Sequence, residues 1–278
     1  MKRPDNLQEY ISNFYVIHGG SGVNGFNSQK YNYIPNIDKN LHIITATNYP
    51  GRNYSNDKLI NHPDKLNFTL LELENFHCFV DKIKIVLDFA KTCNESYIMW
   101  VDYSDTVLPT DIPDAKKILD YYNCKLLFNA EDGYHIPDHP CIDKNYRHSY
   151  FKKFKQDYYF KYYSEVVDKN RIKLHDITKL PYDRSLNSGV FLGEKKFIIK
   201  CFEEAYKYMI DDYNKGFPYG EQDDQIILRY MQSKSNDIQI DYLNKFFLWV
   251  YGRKFNFPVE SWEHYDYFNR YSYINLQN

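Results

Sequence analysis

No stretch of this 278-residue sequence approaches the roughly 18 uninterrupted apolar residues that a membrane-spanning helix needs. Its opening, Met1-Lys2-Arg3-Pro4-Asp5, lacks the apolar core of a secretory signal, so the sequence predicts an intracellular, cytoplasmic chain. Cysteine is sparse and odd in number. Cys78, Cys93, Cys124, Cys141 and Cys201 are widely spread, with no Cys-x-x-Cys pair to make a zinc knuckle, which excludes a disulfide scaffold and fits a reducing compartment. Neither sign of charge dominates: 35 Lys and Arg against 37 Asp and Glu leave a net −2, so bulk charge gives no case for sequence-independent nucleic-acid binding. There is no Gly-x-Ser-x-Gly elbow. The glycine cluster Gly19-Gly20-Ser21-Gly22-Val23-Asn24-Gly25 is not followed by Lys-Ser/Thr and reads as a turn rather than a phosphate loop.

Aromatic residues are abundant instead, with 29 Tyr and 19 Phe. Hydrophobic residues at 43% and charged residues at 26% are the composition of a globular chain able to bury a sizeable core. Residues 1–40 mix Gly, Asn, Ser and Pro and read as an irregular lead-in; residues 41–278 read as a single domain. Leu41–Thr47 is a short β-branched run ended by Asn48-Tyr49-Pro50-Gly51, a buried strand entering a loop. Apolar positions at three- and four-residue intervals predict an amphipathic helix over 76–90. Tyr97–Val101 is an unbroken apolar run, the pattern of a central strand covered on both faces. Helix 111–122, strand 125–129, strand 186–193, helix 195–212, a helix beginning after residues 220–225 and a late strand within 246–251 complete the pattern. Alternation of this kind predicts an α/β fold with a mostly parallel sheet flanked by helices. Residues 138–184 interrupt it with a Lys- and Tyr-rich insertion.

Chemistry-bearing residues cluster where strands end. Asp102-Tyr103-Ser104-Asp105 follows strand 97–101, and ligands of open α/β sheets sit at the carboxyl ends of strands. Two carboxylates there repel unless a cation or protons neutralise them, so either a divalent metal binds or these are solvated turn residues. Carboxylate oxygens suit Mg²⁺ or Mn²⁺, which would bridge to a nucleotide diphosphate. Asn129-Ala130-Glu131-Asp132 leaves a second strand in the same way. Glu221-Gln222-Asp223-Asp224-Gln225 precedes a helix, where its carboxylates either cap the helix dipole or meet an acceptor hydroxyl.

The ordered set Asp102–Asp105, Leu126–Glu131, Leu186-Asn187-Ser188-Gly189-Val190-Phe191-Leu192-Gly193 and Asp223-Asp224-Gln225 resembles the glycosyltransferase domain of procollagen lysyl hydroxylases and related collagen glycosyltransferases, over about residues 41–251. The resemblance implies a GT-A fold of Rossmann type, a UDP-sugar donor such as UDP-glucose or UDP-galactose, Mn²⁺ (or Mg²⁺) as cofactor, and transfer to hydroxylysine or galactosyl-hydroxylysine. It implies Asp102, Asp105 and His264 as metal ligands. It implies Thr45, Ala46, Thr47 and Tyr103 at the uridine, Lys82 at the phosphates, Asn187, Ser188 and Gly189 along the donor sugar, and Asp223, Asp224 and Glu131 at the sugar and acceptor. The aromatic of the acidic motif is in its second position here, Tyr103, and His135-Ile136-Pro137-Asp138 stands where the family has Trp-Pro-Glu/Asp.

The insertion interleaves Arg147, Lys152, Lys153, Lys155 and Lys161 with Tyr and Phe. It reads as a plain structural element, as a lid that selects a protein acceptor, or as a stacking surface for nucleic acid, which makes glycosylation of a modified DNA base the alternative enzyme reading. A nucleotide-sugar or glycan-binding module without catalysis is the non-enzyme alternative. A metal-dependent nuclease ranks last.

Overall fold

The computed structural model describes residues 16–18, 36–47, 67–72, 79–102, 106–108, 111–132, 184–216, 222, 224–242 and 245–249. Nine strands and four helices lie within them: β1 Val16–His18, β2 Leu41–Thr47, β3 Phe68–Glu72, α1 Phe79–Thr92, β4 Tyr97–Val101, β5 Thr106–Val107, α2 Ala115–Tyr121, β6 Leu126–Asp132, β7 Arg184–Glu194, α3 Lys195–Asn214, α4 Asp224–Lys234, β8 Ile238–Ile240 and β9 Phe247–Trp249. None of the described helices is long and apolar enough to cross a membrane.

Six strands form the main sheet in the order β3-β2-β4-β7-β6-β8. Five run parallel, and β7 runs antiparallel to both of its neighbours. This is a mixed α/β architecture compatible with a Rossmann-like fold. Side chains alternate across the sheet, as the two-residue strand period requires. On one face Ile44, Ile98, Trp100, Leu126, Phe128 and Phe191 pack with residues of α1, α3 and α4. On the other, Leu41, Ile43, Met99, Val101, Leu127 and Leu192 pack with Ala115, Ile118 and Leu119 of α2. Helices on both faces are why β4 and β7 carry unbroken apolar runs. Phe191 meets Phe128 and Phe202 at ring separations of 5.2 and 5.3 Å. All three are fully buried, and each such ring contributes about 1.5–3 kcal/mol of transfer free energy.

Two strands keep the boundaries read from sequence, Leu41–Thr47 and Tyr97–Val101. Other ends move for local reasons. The helix expected over 111–122 starts only at Ala115, because Asp114 caps it with its side chain accepting from Lys117 N at 3.0 Å, while Asp38 accepts from Ala115 N at 3.0 Å. Pro113, just ahead of that cap, also disfavours helical backbone at residue 112, which instead bridges to Ile37. Within the lead-in, Val16–His18 forms a strand paired antiparallel with β5 and parallel with β9, making a second, three-stranded sheet. Strands β3 and β8 lack a clear sequence signal, being short edge strands whose pairing depends on β2 and β6 already being in place. Of the insertion expected at 138–184, residues 138–183 lie outside the described residues, and Arg184 is the first residue of β7.

Candidate functional site

The carboxyl end of β4 is where Lys82 and residues from three sequence motifs converge. Lys82 lies on α1, four residues before Val86 and therefore on the buried stripe of that helix. Its ammonium donates to Ser188 O at 2.8 Å and to Asp102 Oδ1 at 3.2 Å, and it lies 3.4 Å from Asp224 Oδ2. It also sits over the Trp100 ring, 5.1 Å from the centroid. The side chains of Lys82 and Asp224 are only 5% and 2% exposed, whereas Asp102 is 39% exposed. Burial alone pushes the Lys82 ammonium down, but the carboxylates of Asp102 and Asp224 outweigh it and hold the group above its ordinary value. Lys82 is therefore a charged ammonium at neutral pH.

Asp102 is held from three sides. Trp100 Nε1 donates to Asp102 Oδ1 at 2.8 Å, alongside Lys82, and Asp102 N donates to Gly189 O at 2.8 Å. The β7 backbone also reaches Lys82, through an irregularity in its pairing with β6. Phe128 faces Phe191, yet the next residue, Asn129, faces Asn187, so Ser188, Gly189 and Val190 bulge away from β6. On the other side of β7, Val190 stays in register with Val101. The bulge frees the Ser188 carbonyl for Lys82, while the Gly189 carbonyl meets Asp102 N as the next step of the β4–β7 ladder. Asn187 braces it, its Oδ1 accepting from Gly189 N at 2.8 Å.

Helix α4 closes the group from behind. Asp224 is its first residue, Gln225 Oε1 accepts from Ser188 N at 3.1 Å, and the buried Arg229 donates through Nε and Nη2 to Leu186 O at 3.0 and 2.8 Å. Asp224 Oδ2 is shielded from solvent and has no hydrogen-bond partner of proper geometry, so the nearby Lys82 charge is what offsets its burial.

The structure thus brings together Lys82, Asp102, Asn187, Ser188, Gly189 and Asp224. It separates the expected uridine residues. Strand alternation places Ala46 on the face of Ile44, and because Ile44 pairs with Trp100, Ala46 lies along the same sheet end as Asp102. Thr45 goes to the opposite face, fully buried, and among the described residues its hydroxyl has no hydrogen-bond partner. Thr47 and Glu131 are placed by backbone alone, at or next to the carboxyl ends of β2 and β6. Tyr103, Asp105, Asp223, His264 and the 135–138 segment lie outside the described residues.

Two participants carry no sequence signal as site residues: Trp100 and Arg229. Trp100 reads as one more apolar residue of β4, and only its indole N–H, two residues from Asp102 on the same face, could have marked it. Arg229 sits in an ordinary amphipathic helix, and Gln225, part of the Asp223-Asp224-Gln225 motif, has no role of its own in the sequence reading.

For a hard divalent cation, the donor chemistry of Asp102 fits. The group of two carboxylates and one ammonium is also one positive charge short of neutrality. Among the described residues Asp102 joins no group of three metal-type side chains, so other ligands would come from Asp105 or His264. No protein-family model matches the chain, and no curated protein matches it.

Proposed function

We propose that the chain is a GT-A-type glycosyltransferase that takes a hexose from a UDP-sugar and passes it to a hydroxyl acceptor. The observation that carries this reading is the convergence of Lys82, Asp102, the Ser188-Gly189 bulge and Asp224 at the carboxyl end of a central strand. Asp102, Ser188-Gly189 and Asp224 come from three separate motifs of the resemblance and Lys82 from a single matched position outside them, and nothing in composition or periodicity requires them to meet. Ligand sites of open α/β sheets lie at that end of the strands.

In the transfer, the bond from the sugar C1 to the diphosphate oxygen breaks and its electron pair leaves with the phosphate. The acceptor oxygen forms the new bond to C1 and gives up its proton to a base. A divalent cation, held by Asp102 with Asp105 and His264, would supply Lewis-acid stabilisation of the leaving diphosphate. Lys82 sets the local potential beside it: its ammonium is fixed by Asp224 and Ser188 O and adds positive charge where phosphate charge develops. Asp224 is committed to Lys82 and buried, so it acts as a positioning residue. The proton-accepting role expected of the acidic pair falls to its neighbour Asp223. Trp100 orients Asp102 through its indole N–H.

The test is thermal melting of the full chain with UDP, UDP-glucose, UDP-galactose and other nucleoside diphosphates, each with Mn²⁺ and with EDTA, followed by UDP release assays with hydroxylysine, galactosyl-hydroxylysine and glycosylatable DNA bases. A uridine-specific, Mn²⁺-dependent rise in Tm that Asp102→Asn removes supports the reading. No shift with any nucleotide overturns it.

A further inference from the structure

A second cluster lies at the other end of the same sheet. His42 stands near the start of β2, and Cys93 and Glu95 lie in the turn between α1 and β4. One ligand atom from each of His42, Cys93 and Glu95 comes within 4.8 Å of the other two. Cys93 Sγ donates to Glu95 Oε2 at 2.9 Å, and His42 Nδ1 lies 3.4 Å from the same oxygen.

The imidazole is oriented by its other nitrogen. His42 Nε2 is 2.9 Å from Thr69 Oγ1, and the ring packs against Phe89 with centroids 4.9 Å apart. In the tautomer whose Nε2–H donates to Thr69, Nδ1 presents a lone pair toward Glu95. Among the described residues Nδ1 makes no hydrogen bond of good geometry, although it is shielded from solvent and the carboxylate oxygen is 3.4 Å away. A lone pair facing a carboxylate oxygen in that tautomer is a place where a cation is favoured.

The turn itself is preset. Lys195 Nζ donates to the carbonyls of Cys93 and Asn94 at 2.9 and 3.4 Å, fixing the backbone that carries both ligands. Nucleophilic use of Cys93 is disfavoured: burial, and then its hydrogen bond to Glu95, push the thiol up to about 11, and its partner is the carboxylate rather than the imidazole.

We propose that His42 Nδ1, Cys93 Sγ and Glu95 Oε2 form a three-ligand Zn²⁺ site that ties β2 to the α1–β4 turn. Mixed sulfur, nitrogen and carboxylate donors select Zn²⁺ over Mg²⁺ or Mn²⁺, and three protein ligands leave a fourth position for water. Bonds of about 2.0–2.3 Å in a tetrahedral site put ligand atoms roughly 3.4–3.7 Å apart, so the cluster needs to open by less than about 1 Å at the Cys93–Glu95 contact. On binding, the Cys93 proton is released to solvent, and the thiolate and carboxylate together balance the charge of the ion. Thr69 is the outer partner that fixes the imidazole tautomer.

The test uses the metal-free full chain, titrated with Zn²⁺ against a chromogenic chelator and, separately, with Co²⁺ followed by absorption. The expected result is one equivalent of Zn²⁺ per chain at this site and a thiolate-to-cobalt charge-transfer band in the near ultraviolet. Cys93→Ser should abolish the band, His42→Ala should weaken Zn²⁺ binding at least tenfold, and Thr69→Val should weaken it about tenfold. Cys124→Ala, a buried thiol far along the chain, should leave the band intact. A cobalt complex without a thiolate band, or a band that survives Cys93→Ser, overturns the site. Should Cys93→Ser fail to fold, Glu95→Gln, which keeps the side-chain size, decides by the same titration: unchanged affinity overturns the site and a tenfold loss supports it.

Discussion

Lys82 and Asp224 form a buried ion pair, Nζ to Oδ2 at 3.4 Å, between a helix and the first residue of another helix 142 positions later in the chain. Neither charge has water to fall back on. Lys82→Met should therefore cost about 3–5 kcal/mol, chiefly by stranding the Asp224 carboxylate. Adding Asp224→Leu to that variant should recover most of the loss. Urea denaturation of the single and double variants checks both, and a single variant within about 1 kcal/mol of wild type would show that the carboxylate finds another partner.

The same pair predicts an alkaline limit. The folded pKa of Lys82 is raised above 10.5, so its contribution to stability is fully present below that value and is lost as pH rises through the folded pKa. The stability difference between wild type and Lys82→Met should hold constant from pH 7 to about 10 and shrink above about 10.5. Tyrosine titration affects both proteins alike, so the difference isolates Lys82.

Trp100→Phe tests the indole bond to Asp102. Phe keeps an aromatic ring beside Phe191, 6.5 Å away in the wild type, but removes the indole N–H together with part of a buried ring that Lys82 also sits over. A hydrogen bond to a charged group contributes about 1.5–3 kcal/mol, but Asp102 is 39% exposed and water can replace the donor, so the lost bond should cost about 1 kcal/mol and the lost packing about 1–3 kcal/mol more. Catalytic loss should exceed that stability loss if orientation of Asp102 is what the bond supplies. Equal kcat for the two proteins would remove Trp100 from the mechanism.

Gly193→Ala probes close packing away from the site. A Cβ there would meet Leu126 Cδ1 at 2.8 Å and Ile198 Cδ1 at 3.0 Å, and both residues are fully buried. Overpacking of this kind should lower stability by about 1–3 kcal/mol with nucleotide affinity unchanged. The readouts are the urea midpoint and a binding titration.

Asp241 organises the chain between β8 and β9. Its carboxylate accepts from the Tyr122 hydroxyl and from the backbone N–H groups of Lys245, Phe246 and Phe247, each of the last three at 2.7 Å. Asp241→Ala would orphan those donors at about 1–3 kcal/mol for each one that stays buried. The expected loss is about 3 kcal/mol, with hydrogen exchange accelerating first at Phe247, whose strand pairs with β1.

The sequence by itself determined the secondary structure of the core strands and the candidates at their ends. The five residues of β4 are apolar without interruption because helices cover both faces, and that cause leaves a direct trace in the residue order. Asp102 follows as the first polar residue beyond the apolar run. Lys82 was legible as a candidate through the family resemblance, though not as a buried cation. Tertiary structure alone decided what these residues do to one another. The Ser188–Val190 bulge arises from a mismatch between β6 and β7, a property of two strands about 50 residues apart, and it frees the Ser188 carbonyl for Lys82 in a way that no local pattern encodes. The pairing of Lys82 with both Asp102 and Asp224, and the meeting of His42 with Cys93 and Glu95, depend on which strands and helices become neighbours. Charge and hydrogen bonding act over a few ångströms of space, and sequence distance carries no record of that separation.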